Sequence, residues 1–286
     1  MLNSTKEKAA QKTMTSLRIA TWNINSVRLR FPQVARFLAR HRPDVLCLQE
    51  TKCPDERFPR AEFEEIGYGH IALHGQKGWH GVATVSKKPF ADIARDRFCE
   101  KNDARHVSVT LERTAGISKP LTIHNFYVPA GGDEPDPEIN VKFAHKLAFL
   151  DELKSCSASR AAKAGERALL VGDLNVAPLE HDVWSHKQLL DVVSHTPIEV
   201  EKLGHVQRAG GWLDVMRGFV PETEKLYTWW SYRAPDWKKA DKGRRLDHIW
   251  ASPALDGSAK KMSVARETRA WQRPSDHVPV IAAFDL

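Results

Sequence analysis

Two short apolar runs, Val45-Leu46-Cys47-Leu48 and Ala168-Leu169-Leu170-Val171, constrain the fold most. Each is continuously apolar instead of alternating, the pattern of a strand covered on both faces. Both turn polar at their carboxyl ends, the first at Gln49-Glu50 and the second at Gly172-Asp173-Leu174-Asn175. If strand geometry persists beyond Gly172, Asp173 and Asn175 point the same way, because side chains alternate along a strand. A carboxylate and an amide side by side can activate a water and hold a substrate oxygen. The same residues also suit an Asx-type turn leaving a strand.

Other elements arrange themselves around these runs. Residues 17–24 alternate as a strand, and Pro32 fits the first turn of a helix carrying Phe31, Val34, Phe37 and Leu38 at helical spacing. With residues 44–50 this makes a strand–helix–strand unit whose strands both finish in polar residues, where sites assemble in such sheets. Residues 69–74, 81–86, 106–112 and 121–128 read as strands. Asp136-Pro137 then offers a cap and first-turn proline to a helix with Ile139, Phe143, Leu147, Leu150 and Lys154 on one face. Helical spacing returns over 197–208 until Gly210-Gly211, and 212–219 reads as another short helix. Residues 227–232, 245–251, 262–268 and 278–284 complete the strands. The expected architecture is α/β, with two mixed sheets packed face to face and helices outside. The polar, aperiodic start through Ser16 reads as a disordered extension, leaving 17–286 as one unit.

The strand ends and adjoining loops collect Asn23, Glu50, Tyr127, Asp173, Asn175, Asp247, Asp276 and His277. Singly, each has a plain reading: Glu50 as a solvated carboxylate, Tyr127 as a core aromatic, Asp276-His277 as a turn. Asp247, inside Leu246-Asp247-His248-Ile249-Trp250, is harder to place, since a carboxylate in an apolar strand is costly to bury unpaired. Eight coincidences are less economical than one site. Oxygen donors dominate, so a metal there should be hard, magnesium or manganese ahead of zinc. The four cysteines lack zinc-type spacing and point to a reducing compartment. The net charge of +7 favours a polyanionic partner, nucleic acid first and a membrane surface second.

Trp22-Asn23-Ile24-Asn25-Ser26-Val27-Arg28, Leu48-Gln49-Glu50-Thr51-Lys52, His74-Gly75-Gln76-Lys77-Gly78, Gly172-Asp173-Leu174-Asn175 and Pro274-Ser275-Asp276-His277 together resemble exonuclease III. This is the branch of the exonuclease/endonuclease/phosphatase superfamily that holds the major apurinic/apyrimidinic endonucleases. The resemblance runs from Leu17 to Phe284. It implies a four-layered, deoxyribonuclease I-like α/β sandwich, with 17–286 as the catalytic domain. It further implies that Glu50 is the principal Mg2+ ligand (Mn2+ as substitute), supported by Asn23, Asn25 and Asp276, with Asp173, Asn175 and His277 alongside. Asp173 would activate the attacking water, Asn175 would position it, and Tyr127 would bond the phosphate or leaving group. His277, held by Asp247, would contact the scissile phosphate.

The implied partner is double-stranded DNA with abasic sites or 3′ ends, met by a monomer in the cytoplasm and with no membrane involved. From Arg233 to Arg245 six basic and two acidic residues stand among tryptophans, a mixture suited to phosphate contacts and stacking. Arg233, Lys238, Lys239, Lys242 and Arg244 are the candidate phosphate contacts. By resemblance Trp229 lines a pocket for the base-free sugar and Leu246 forms a second wall. Trp230 is a further contact or a core residue. Gln76, Lys77, Gly78 and Arg105 would add backbone contacts. The sequence departs from the family where Tyr127-Val128-Pro129 is followed by Ala130 instead of an amide, which leaves open the balance between abasic-site incision and 3′→5′ exonuclease activity. A superfamily phosphatase or phospholipase, and a non-catalytic DNA-binding module, are the competing readings.

Overall fold

The computed structural model describes residues 16–234 and 236–286. Strand β1 (Ser16–Asn23) is followed by helix α1 (Val27–His41), β2 (Val45–Gln49), α2 (Arg60–Glu65), β3 (His70–His74) and β4 (Val82–Ser86). Next come β5 (Asp92–Ala94), β6 (His106–Leu111), β7 (Leu121–Tyr127), α3 (Val141–Lys154), α4 (Ser157–Lys163) and β8 (Ala168–Asp173). The chain ends with α5 (His186–Leu189), α6 (Pro197–Gly210), β9 (Leu213–Asp214), β10 (Trp229–Trp230), α7 (Trp237–Ala240), β11 (Gly243–Arg244), β12 (Asp247–Ala251), β13 (Ala259–Val264) and β14 (Val280–Asp285).

Among the described residues the strands form two six-stranded sheets, ordered β13-β14-β1-β2-β4-β3 and β5-β6-β7-β8-β12-β9, and a ribbon of β10 and β11. Both sheets are mixed: β1 runs parallel to β2 and β7 parallel to β8, while the other pairs are antiparallel. Strand alternation sorts the side chains into layers. Leu17, Ile19, Val45 and Cys47 of one sheet meet Ile123, Leu169, Val171 and Ile249 of the other in the central core. The opposite faces are covered separately, one by Phe37 and Leu38 of α1 packing on Trp22, Leu46 and Leu48. The other is covered by Phe149, Leu150 and Leu203 of α3 and α6 on Leu170 and Trp250. The result is the expected four layers.

Local differences from the sequence reading have physical causes. Residues 1–15 of the expected extension over 1–16 lie outside the described residues, whereas Ser16 pairs with Asp285 in β1 and so belongs to the fold. Helix α1 begins at Val27, ahead of Pro32, because a kink at Arg30 (φ −113°, ψ 16°) lets the proline enter as if at a new first turn. Asn140, not Asp136, caps α3, its side chain accepting the Lys142 amide. Residues 212–219 are not a helix. Asp214 pairs with Trp250, the Val215 amide bonds to Ile249 O, and the Asp214 carboxylate takes the amides of Met216 and Arg217 in a turn. An open sheet edge and an Asx-type turn outcompete weak helical spacing there.

Candidate active site

The inward-facing register of the central core runs out, at one end of the sandwich, into polar side chains. Along β1 the inward series is Leu17, Ile19, Thr21, Asn23; along β8 it is Leu169, Val171, Asp173. On β7 it is Leu121, Ile123, Asn125, Tyr127, and antiparallel β12 opens it with Asp247 before Ile249 and Ala251. Strand pairing sets Tyr127 and Asp247 on either side of Asp173. Beneath this row lies an amide layer in which Gln49 donates to Thr21 Oγ1 (2.9 Å) and Asn125 Oδ1 (2.7 Å), tying the two sheets together.

The strand geometry does not persist beyond Asp173. Gly172, at φ 138°, passes so close to the neighbouring strand that an added Cβ would sit 1.9 Å from Phe126 O, so only glycine fits. Asn175 turns to φ 54°, and its amide N–H donates to Asp173 Oδ1 (3.0 Å). The Asx-type turn and the site are therefore the same object. The turn brings Asn175 Nδ2 to 3.2 Å from Asp173 Oδ2 and 2.9 Å from Val128 O. Asn25, Glu50 and Lys52 share this left-handed backbone, with φ of 48°, 49° and 52°, and such conformations concentrate where a site is over-determined by its surroundings.

One amide joins the two halves. Asn23 Nδ2 donates to Glu50 Oε1 and to Asp173 Oδ2, both at 2.8 Å, and the Tyr127 hydroxyl donates to Glu50 Oε1 at 3.0 Å. Segment 274–277 is pinned over the end of β1 by Ser275 Oγ donating to Asn23 O and by Trp22 Nε1 donating to His277 O. That places His277 between two carboxylates, with Nδ1 2.8 Å from Asp247 Oδ2 and Nε2 3.6 Å from Asp173 Oδ2. Asp276 accepts from Asn25 Nδ2 (3.1 Å) and Trp229 Nε1 (2.9 Å).

Burial raises the Asp173 carboxyl to about 7; His277 and Asn23 pull the other way, and Asp247 adds to the rise. His277 is driven in the cationic direction. Burial opposes its charge, but Asp247 and Asp173 outweigh burial and push it up to about 10. Burial alone would raise Asp276 as well, yet His277 and the donors Trp229 and Asn25 hold it below the usual carboxylate range. Burial, then Glu50 and Asp173, keep the Tyr127 phenol protonated, well above its ordinary range.

Two places gather carboxylates. Asp173, Asp247 and His277 bring ligand atoms within 4.8 Å of one another, but the His277 ring is already bonded to Asp247 at Nδ1 and faces Asp173 with Nε2. Beside it, Lys52 Nζ lies 2.9 Å from Glu50 Oε2 and 2.7 Å from Asn25 Oδ1, and Asn25 reaches on to Asp276. Here an all-oxygen set holds a cation. A hard divalent metal fits this donor set, with the lysine displaced or moved aside. Sequence alone gives Lys52 no role; the Glu50-x-Lys52 spacing is the one signal it carries, and left-handed backbone at both residues brings the two side chains together.

Glu50, Asp173, Asp276 and His277 open into one cavity of about 780 Å³, whose lining also includes Trp229, Leu246 and Arg244. Arg233, Lys238, Lys239 and Lys242 are exposed around it. Trp230 is buried against Tyr227 and Trp237. Arg266 and Arg269 lie over the Trp237 ring, each 5.5 Å from its centroid, which fixes the aromatic–basic loop. Arg105 is buried, bonded to Asp103 and Tyr127 O with its guanidinium over the Tyr127 ring, and so bears on the site through the tyrosine. Gln76 Oε1 accepts the Ala104 amide, while Lys77 and Gly78 are exposed. Trp79 beside them is 76 % exposed and faces Lys52; a lone tryptophan carries no periodic signal in the sequence.

A sandwich that ends its core in buried carboxylates, an imidazolium and an oxygen-lined cation locus defines a metal-dependent phosphoester hydrolase. The chain belongs to the Endonuclease/Exonuclease/phosphatase family, which it matches over residues 20–277. An exodeoxyribonuclease III of Haemophilus influenzae is 30% identical over 275 residues, covering 94% of this chain and 100% of that protein. An AP endonuclease of Archaeoglobus fulgidus superposes with TM-score 0.84 at 32% identity, over 94% of this chain and 100% of the other. A 3′ phosphatase from Neisseria, solved with a product DNA hairpin, matches with TM-score 0.84, 31% identity and the same coverage.

Proposed function

We propose that this chain, a DNA-repair nuclease, hydrolyses duplex DNA on the 5′ side of abasic sites and trims 3′ ends, with Mg2+ as its metal and Mn2+ as a substitute. The observation that carries this reading is the single cavity joining Asp173 and His277 to an aromatic and basic wall. It would work as a monomer on DNA in the cytoplasm. Among the described residues no helix is long and apolar enough to cross a membrane.

In this reading Asp173, raised to about 7 by burial, accepts the proton of the attacking water near neutral pH, where a general base is most effective. Asn175, its Nδ2 committed to Val128 O and Asp173, turns its amide oxygen toward that water. The His277 imidazolium, oriented by Asp247, offsets charge building on the phosphate in a buried setting where fixed donors are most effective. Tyr127, a protonated phenol, donates within the same row. Glu50, Asn25 and Asp276 would hold the metal, and a metal bound there would polarise the phosphate and offset charge on the leaving 3′-oxygen. The exposed cations of the 233–242 loop grip the flanking backbone, and Trp229 with Leu246 receives the base-free sugar.

The test is incubation with Mg2+ and labelled duplexes: one with a single tetrahydrofuran residue, one intact, one with a recessed 3′ end. Magnesium-dependent cleavage that Asp173→Asn removes is expected. No metal-dependent cleavage of any duplex would sink the reading and favour a phosphatase on small phosphoesters or a binding module.

A further inference from the structure

The cavity carries both signs of charge. Glu50, Asp133, Asp173 and Asp276 share its lining with Arg233, Lys242 and Arg244. Among the described residues none of these three cations forms an ion pair. Glu199 and Asp241, acidic groups on neighbouring segments, are bound instead by Lys146 and Arg266. Arg244 stands out, because it is half-buried and packs its guanidinium 5.3 Å from the Trp229 ring centroid. Its protein hydrogen bonds leave from Nη1, to Val193 O (2.8 Å) and Ser194 Oγ (2.7 Å), and its buried Nε has no partner. Both acceptors are neutral. A guanidinium withdrawn from water without a carboxylate is unfavourable on its own, so its natural complement is an anion delivered by the ligand.

Its distance from the reacting centre is bounded. Arg244 stands two residues before Leu246 and three before Asp247, which keeps its Cα within about 11 Å of that of Asp247. Its long side chain can therefore serve a phosphate neighbouring the one held at the reacting centre. A buried chain of contacts also holds the guanidinium in register with the catalytic turn. Ser194, which accepts from Arg244, gives its amide N–H to Glu199, and Glu199 pairs with Lys146 at 2.5 Å. Lys146 in turn donates to Asn175 O at 2.7 Å.

We propose that Arg244 binds the phosphate on the 3′ side of the sugar held in the cavity, so that the site selects residues flanked by phosphates on both sides. Internal abasic sites meet this requirement; a 3′-terminal nucleotide does not. The proposal rests on the DNA-cleaving reading above and sets which of its two reactions the cavity favours. The competing occupant is the base of a terminal nucleotide, stacked on Trp229.

The experiment compares the native protein with Arg244→Met on three duplexes: an internal tetrahydrofuran residue, the same with an uncharged methylphosphonate at the linkage 3′ to it, and a recessed 3′ end. On the native protein the methylphosphonate should lower kcat/KM for incision by about tenfold to a hundredfold, the size of a charged hydrogen bond. Arg244→Met should lose a similar factor on the all-phosphate substrate and nothing further on the methylphosphonate, since the two changes remove one contact. The ratio of incision to terminal removal should fall at least tenfold. A native loss under twofold overturns the proposal even if the variant fails to fold. So does a methylphosphonate penalty that persists undiminished in Arg244→Met, or a variant that loses terminal removal more than incision. Absence of cleavage of every duplex by the native protein would refute the underlying reading instead.

Discussion

Asp247→Asn isolates the charge behind His277 while keeping the shape and an acceptor oxygen for Nδ1. The imidazole lies 2.8 Å from Asp247 and 3.6 Å from Asp173. Against the cost of burial, these carboxylates raise it from 6.5 to about 10. That preference for the imidazolium is on the order of 5 kcal/mol, and the nearer carboxylate supplies the larger share. Without the Asp247 charge the imidazole should titrate at least two pH units lower. Catalysis in the reading above needs Asp173 ionised and His277 protonated. Native kcat/KM should therefore rise through about pH 7 and fall near pH 10, whereas the variant should lose activity already below about pH 8. The stability signs agree. A folded-state pKa raised above the unfolded value contributes stability that is complete below about 6.5 and is lost as pH rises through about 10. The native protein's advantage over the variant in urea unfolding should be larger at pH 6 than at pH 9.5. A pH–rate profile from 6 to 10.5, paired with NMR titration of His277, reads both effects. An alkaline limb that stays within half a unit of the native one would refute the reasoning.

Two further outcomes follow from buried groups. Lys146→Met strips Glu199 of its cation and removes the donor to Asn175 O and Ala130 O; breaking one side of a buried pair costs about 3–5 kcal/mol, or roughly 10 °C in Tm at this chain length, and a loss below about 1 kcal/mol by denaturant titration would contradict the assignment. Gly172→Ala places a methyl on the Phe126 carbonyl, so the variant should unfold at least 4 kcal/mol more easily or fail to accumulate; native-like Tm would show that the strand can shift aside.

The sequence carried the layers because continuous apolar runs have few folded solutions, and it carried the site because their polar ends could not all be surface accidents. What it hid was decided by competition between neighbours. Lys146 falls on the buried side of α3, three residues after Phe143, and periodicity counts a lysine as surface unless its partner Glu199, 53 residues on, is already known. The family resemblance makes Arg105 a DNA contact, whereas in the fold its guanidinium lies over the Tyr127 ring and bonds to Asp103. Trp229 and Trp230 are adjacent and chemically alike, and only the ribbon's pairing sends one toward the cavity and the other into the core. Asp173 and Asn175 converge as alternation suggested, but by a turn that alternation does not describe.

The amide of Asn23, shared by Glu50 and Asp173, spans the gap between the two sheets. The central core therefore works as a spacer, and its thickness, about 10 Å in packed sheets, sets how far the Glu50 side of the site stands from the Asp173 side. Larger side chains introduced between the sheets to raise Tm would jack the sandwich open at its catalytic rim. Turnover, not melting temperature, is then the finer gauge of how well this core is packed.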